Sequence, residues 1–249
     1  MAKNIYKKIV PALLCAALVA GSLAGCGEKS EEQELPTVTS SGAERPGVYA
    51  VDDKFTLNSN REVSFNPFTT NNAANILCTQ VMYDCLFDVG PDFTFTGDLV
   101  KEWKSDDGKS WYFYVDTSVK FWDGTTLTAT DASYSIQRAM RSPQFQSRLN
   151  GVIGVSAVDE SLFVINLYQA DMLFPTMLDI PVIKSGSVGE FVPMGTGPYT
   201  INEECTMLTA FPDYRYADSI PIDKIYLKEY KQTDEIITAF ENSEICFCK

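Results

Sequence analysis

The side chains able to do chemistry in this 249-residue sequence are mainly acids and thiols, because it contains no histidine. That gap removes Ser-His-Asp and Cys-His catalysis, histidine-ligated zinc and the usual proton shuttle near neutral pH. The 33 Asp and Glu residues leave room for catalysis by paired carboxylates. With so many acids, however, a solvated surface is the plainer reading of them. The cysteines are Cys15, Cys26, Cys78, Cys85, Cys205, Cys246 and Cys248, and their spacing does not suggest a disulfide framework. Cys78 and Cys85 fall on an expected helix, about 10 Å apart along its axis. That exceeds the ~7 Å reach of a disulfide, and both read as small apolar fillers. Cys205 has no obvious partner. Cys246 and Cys248, two thiols without further ligands, are a weak metal or redox signal. No cofactor is implied.

Cys26 has a different chemistry. Lys3, Lys7 and Lys8 precede an apolar run over residues 9–20, interrupted by Pro11 and too short for the ~20 residues that span a bilayer. A basic start, a short apolar middle and small residues before a cut are the layout of an export signal. The junction Leu23-Ala24-Gly25-Cys26 resembles the lipobox of bacterial lipoproteins, whose cysteine is acylated and becomes the new N-terminus. The alternative is a plain signal followed by a chance cysteine. On the lipoprotein reading, residues 1–25 are a signal peptide and Cys26 is the lipidation site. Residues 26–53, rich in Glu, Ser, Thr, Pro and Gly, are then an acidic, disordered tether. Several acyl chains on one cysteine exceed the two-signal threshold for stable anchoring, so the expected location is the outer face of the cell membrane.

Charge narrows the partners. The formal net charge is −13, from 20 basic and 33 acidic residues. Without the three leader lysines, 17 basic residues remain against 33 acids, or −16. Such a surface argues against nucleic-acid binding, which needs a basic footprint. It also repels anionic headgroups, leaving the lipid to make the membrane attachment. An apolar content of 45% with 12% aromatics is ample for a folded body of about 200 residues.

That body is expected to begin near Lys54, with a short strand over residues 54–57 and an irregular stretch to Asn72. Asn72 is expected to cap a helix running to about Cys85, with Ile76, Leu77, Val81 and Cys85 near one face. Residues 111–115 (WYFYV) alternate as a strand. Asp123-Gly124 is read as the next turn, closing a β-hairpin with residues 119–122. Thr128 and Asp131 fit a variant capping box, followed by a helix with Ala132, Ile136, Ala139 and Met140 on a common face. Residues 152–158 and 162–167 read as a second hairpin, 225–230 as a strand, and 234–241 as a helix carrying Ile236, Ile237 and Phe240. Trp122 and Tyr134 are assigned to the core. Strands and helices mix without a strict βαβ rhythm, so the class is α/β in the mixed, α+β sense.

Several stretches, in order, are similar to the extracellular solute-binding proteins of peptide- and nickel-type ABC importers (family 5). Ser64-Phe65-Asn66-Pro67 is similar to the family's L-D-P, with Asn66 for the usual Asp. Residues 81–86 (VMYDCL) stand at a Y-E-x-L helix end. Glu102 and Trp103, then Asp107-Gly108 and residues 111–113, follow E-S-W-x-x-x-D-G-x-x-Y-x-F. Residues 119–129 (VKFWDGTTLTA) with Asp131 are the strongest match, followed by 195–199 (GTGPY) and 239–245 (AFENSEI). The resemblance covers residues 54–245. It implies the first lobe of a periplasmic-binding-protein-like fold (class II, cluster C type), closing on a solute by hinge motion, with membrane permease subunits as partners and a peptide or small solute as ligand. Peptide-binding members hold an extended ligand partly by strand addition. On that analogy Asn71, Asn72 and Ala73 lie against the ligand, Phe145 lines the pocket, and Thr196 and Gly197 stand near the cleft. For each of these, loop capping, turn geometry or core packing is the alternative.

The family's chain continues through a second lobe, missing from this sequence. Residues 246–249 fit no cap, strand or closing helix and read as an aberrant tail, as from a frameshift or incomplete gene model. The leading function is a lipid-anchored receptor for peptides or a related solute, read as truncated, and not an enzyme. The alternatives are a stand-alone lipoprotein that uses one lobe for adhesion or protein interaction, and, last, an extracellular hydrolase working through paired acids.

Overall fold

A computed structural model describes residues 54–247. The expected signal peptide, tether and lipidation site Cys26 lie outside the described residues, as do Cys15 and Cys248. Among the described residues no helix is long and apolar enough to cross a membrane.

Two four-stranded sheets and a small ribbon make the scaffold. The first sheet has the order β1 (Phe55–Asn58), β10 (Lys224–Lys228), β9 (Met207–Ala210), β8 (Tyr199–Ile201). Its β1–β10 pair is parallel and the others are antiparallel. The second is wholly antiparallel, in the order β4 (Val100–Lys104), β5 (Ser110–Val115), β7 (Leu162–Leu167), β6 (Val152–Ala157). The ribbon pairs β2 (Phe87–Val89) with β3 (Phe95–Gly97). The α/β class expected from the sequence is the one observed.

Helix α1 (Ala73–Met82) begins as expected, with the Asn72 side chain accepting from the Asn75 N–H at 3.1 Å. It ends earlier, because Tyr83 is already extended, so Cys85 is off the helix. Its buried face is Asn75, Cys78, Thr79 and Met82, while Ile76, Leu77 and Val81 are half-buried. Asn75 turns inward because it satisfies the loop before it: its amide accepts from the Asn60 N–H (2.8 Å) and donates to the carbonyls of Asn60 (2.9 Å) and Val63 (2.8 Å). A buried polar side chain with its hydrogen bonds made costs little, and an apolar periodicity count misses it.

The hairpin expected at Asp123-Gly124 forms, with Lys120 and Thr126 bridged antiparallel across the turn. Residues 119–122 fold back on the residues after the turn, with Phe121 N–H donating to Thr125 O at 2.8 Å and Leu127 N–H to Val119 O at 2.9 Å. The Asp123-Gly124 turn is real, with Gly124 at φ +81°, a region open to glycine and strained for others. Beyond it, α2 (Ala129–Ala139) starts at the expected box. Asp131 accepts from the Thr128 N–H at 2.9 Å, and its second oxygen accepts from the Ser185 N–H at 2.8 Å. Ala132, Ile136 and Ala139 are fully buried and pack toward β5, β6 and β7.

The tail is a second correction. Cys246 N–H donates to Thr56 O at 2.7 Å, and Phe247 pairs in parallel with Leu57. Residues 246 and 247 therefore extend the first sheet beside β1. An edge strand offers unpaired N–H and C=O groups to any segment that reaches it, and two residues are too few to show a strand pattern in sequence. Helix α3 (Thr233–Glu241) forms as expected, but Ile237 and Phe240 are each 47% exposed, and Ala239 is its buried residue.

The core runs through aromatic contacts. Phe87 meets Trp103 (5.0 Å), Phe113 and Phe95 edge-on, and Phe113 stacks on Phe163 at 5.1 Å. Offset and edge contacts of this kind add to the area they bury, and they tie the β2–β3 ribbon to the second sheet. Trp122 and Tyr134, assigned to the core, are half-buried and packed against it.

Candidate functional site

A half-open cleft of about 590 Å³ lies beside the end of α1. Three segments wall it. The chain leaving α1 runs extended through residues 83–89. Residues 178–182 are zipped to it, with Leu86 N–H donating to Ile180 O (3.2 Å), Phe87 N–H to Leu178 O (3.2 Å) and Val182 N–H to Asp84 O (2.9 Å). The third wall follows α2. The Ser142 hydroxyl donates to Phe68 O at 2.7 Å, the Gln144 amide to Thr70 O, and Phe145 packs edge-on against Phe68 at 5.8 Å. These bonds hold Phe145 and Arg148 at the cleft, with the Arg148 guanidinium 5.1 Å from the Phe145 ring centre and paired with Asp179.

The floor is charged and mostly out of water. Asp84 is 8% exposed. It accepts from Arg215 Nη1 at 2.9 Å and from the Tyr214 hydroxyl at 3.2 Å, while Arg215 Nη2 pairs with Asp98. Burial pushes the Asp84 carboxyl up to about 7, against the pull of Arg215. Asp98 is raised for the same reason. Burial alone would lower Arg215, but the two carboxylates hold it above its usual range. Such a cluster keeps its charges only because it is internally paired.

The residues expected at the site separate. Phe145 lines the cleft. Asn72 and Ala73 line a smaller cavity of about 260 Å³ together with Asn58, Tyr230 and Lys231, and Asn71 beside them is exposed. Thr196 and Gly197 are buried behind Tyr83. Gly197 N–H donates to Met82 O at 3.1 Å, and the Gly197 carbonyl accepts from the Trp122 indole at 3.1 Å. A Cβ on Gly197 would stand 2.5 Å from the Met82 backbone, so glycine is required there for close approach. Sequence reading missed Asp98, Arg148, Asp179 and Arg215. Asp84 stood in a quoted motif without a role, and Arg148 follows Phe145 by three residues.

Fold and cleft together define a lobe of the periplasmic-binding-protein type. The chain belongs to the bacterial extracellular solute-binding proteins, family 5, whose middle-region model matches residues 94–248. The glutathione-binding protein GsiB of Escherichia coli (strain K12) is 25% identical over 168 residues, covering 62% of this chain and 31% of that protein. NikA from Brucella suis in complex with Fe(III)-EDTA shares the fold with a TM-score of 0.63 at 20% identity, over 77% of this chain and 42% of that one. The oligopeptide-binding protein AppA from Bacillus subtilis, in complex with a nonapeptide, gives 0.62 at 18% identity, over 77% and 43%. The chain thus spans about a third of the length of the curated relative and less than half of the solved ones.

Proposed function

We propose that this chain is the solute-capturing component of an ABC importer, taking up a peptide or a related small solute outside the cell and presenting it to membrane permease subunits. The observation that carries the reading is the half-open cleft, walled by Phe145, Arg148 and Asp179, in a chain of a solute-binding family. The ligands named for relatives, glutathione and a nonapeptide among them, support a peptide-like solute. Residues 54–247 supply most of a first lobe with its inserted subdomain. The relatives are more than twice as long as the part they share with this chain, and the reading places the opposite wall of the cleft in that further length. Phe145 packs on the solute, Asn71, Asn72 and Ala73 run along an extended ligand, and Thr196 and Gly197 set Tyr83 from behind. Cys26 carries the lipid that holds the chain at the membrane.

Calorimetric titration of a library of two- to nine-residue peptides into the purified chain tests the capture step. Binding is expected, and Phe145→Ala is expected to weaken it roughly tenfold, in line with the loss of a buried aromatic contact. No heat from any peptide at millimolar concentration would reject the reading. The anchor is tested separately: Cys26→Ala should release the chain from washed membranes, and equal retention of both forms would assign the attachment to something other than the lipid.

A further inference from the structure

We propose that a shallow recess on the outer face of the second sheet is a further binding site, taking a short stretch of neutral saccharide. It shares no lining residue with the cleft beside α1 and does not depend on the solute-capture reading.

Strand register lays the site out. Ser110 on β5 lies opposite Asn166 on β7, and Asn166 lies opposite Gly154 on β6, so the three form one row across the sheet. Strand alternation sends their neighbours Trp111, Ile165 and Leu167 into the core and leaves this row on the other face. A recess of about 480 Å³ runs along the row, with Ile153 and Tyr168 also lining it. That volume falls within the roughly 300–1,000 Å³ of small-molecule sites.

The glycine in the row has no backbone reason to be there. Gly154 lies outside the positive-φ region, and an added Cβ would meet the Asn166 amide at 3.7 Å, an ordinary contact. Glycine weakens a strand interior, and its usual uses there are a bulge, a bend or the close approach of a ligand. A register shift between Val152 and Gly154 leaves the intervening Ile153 66% exposed, as bulges re-aim side chains. The shift accounts for Ile153 but does not demand a missing side chain at 154. That missing side chain is what leaves the Asn166 amide uncovered.

The groups on offer select the ligand. Asp107 and Lys109 are the charged residues of the recess, one of each sign, so a charged ligand gains no net attraction. The Lys109 and Ser110 N–H groups donate to Asp107 at 2.8 and 2.9 Å. Among the described residues the Lys109 ammonium, the Ser110 hydroxyl and the Asn166 amide have no partner. Together they offer donors and acceptors, as neighbouring hydroxyls require. Tyr168, 72% exposed, adds a ring whose negative face suits the weakly positive C–H side of a sugar. Its backbone is held, with the N–H donating to Gly151 O at 2.9 Å. A peptide held by strand addition needs a sheet edge, and this recess lies on a face. An anionic polymer would meet a chain of net charge −13. A neutral ring with hydroxyls at its rim and one apolar side matches every group present.

Titration of cellohexaose and chitohexaose, both neutral, into the full chain and followed by amide NMR tests the assignment. Saturable shifts at Ser110, Gly154, Asn166 and Tyr168 are expected from at least one of them at millimolar concentration. Tyr168→Ala should weaken that binding roughly tenfold, the scale of losing an aromatic anchor. Gly154→Val, which fills the recess, should abolish it. Tyr168 is exposed, so its variant should melt with the parent and keeps the test readable if Gly154→Val perturbs the sheet. No shift from either sugar, shifts confined to Phe145 and the cleft, or binding untouched by Tyr168→Ala would overturn the site. So would tighter binding of an oligogalacturonate, which carries carboxylates. Self-association abolished by Tyr168→Ala, with neither sugar bound, would overturn it in favour of a protein contact.

Discussion

Two populations of aspartate divide this molecule. At the turns, Asp107, Asp123 and Asp159 accept hydrogen bonds from nearby N–H groups and have carboxyls below their usual range. At the cleft floor, Asp84 and Asp98 are bound by a guanidinium more than a hundred positions away and lie above that range. The turn acids are charged because local geometry stabilises the charge. The floor acids occupy a place that penalises charge, and Arg215 offsets part of that penalty. The first group shapes the chain, whereas the second joins the end of α1, the β3–β4 corner and the segment after β9, and so sets the floor on which any solute would rest.

The largest expected effect comes from removing the cation. Arg215→Leu should destabilise the fold by roughly 3–5 kcal/mol at pH 7, the scale for breaking one side of a buried pair, read by urea denaturation. Much of that loss should vanish at pH 4, where the stranded acids are protonated. An equal loss at both pH values would mean that Arg215 contributes packing alone.

A pH series on the parent protein sharpens the same contrast. Asp84 has its pKa raised from 3.8 to about 7 in the fold, so between those values the folded state holds more protons than the unfolded one. Stability from this group is therefore fully present below pH 4 and falls as pH rises through 7, by up to about 4 kcal/mol. Asp84→Asn should flatten that slope. A parent whose stability rises steadily from pH 4 to pH 7 would contradict the assignment.

Which parts of the structure were legible follows from sequence distance. The β6–β7 turn at Asp159, the Thr128–Asp131 box and the Asn72 cap all rest on bonds spanning two or three residues, and each was readable from residue types alone. The floor cluster pairs residues separated by 117 and 131 positions, a distance over which residue type carries no pairing information. Arg148 and Asp179, 31 positions apart, were invisible for the same reason. Where local reading failed, a tertiary partner decided. Asn75 turned α1 inward, and the free edge of β1 collected Cys246 and Phe247. Of the residues expected at the site, Phe145 is the one that lines the larger cleft, while Thr196 and Gly197 are buried against the Met82–Tyr83 backbone.

Among the turn positions, Gly124→Val should cost about 1 kcal/mol, the scale of forcing a side chain into a positive φ. No atom lies within 4 Å of the position a Cβ would take, so strain alone acts there. An unchanged melting transition would show that the turn relaxes.

The smallest effect should come from Asp123, one residue earlier, where burial works to raise the carboxyl but bonds from Lys184 and Thr125 win and lower it to about 2. Those bonds include the Thr125 N–H at 3.0 Å and its hydroxyl at 2.6 Å. The contribution has the opposite pH sign to that of Asp84: it is present above pH 4 and lost as pH falls through about 2. Its size is limited because Asp123 and Lys184 are about one-third exposed, where ion pairs are screened. Asp123→Ala should therefore cost only about 0.5–1 kcal/mol at pH 7, and less in 1 M salt, where the Lys184 attraction fades and the short-range bonds to Thr125 persist. Differential scanning calorimetry at low and high salt reads both parts. A loss as large as that of Arg215→Leu, or one that grows with salt, would erase the distinction between the turn acids and the acids of the floor.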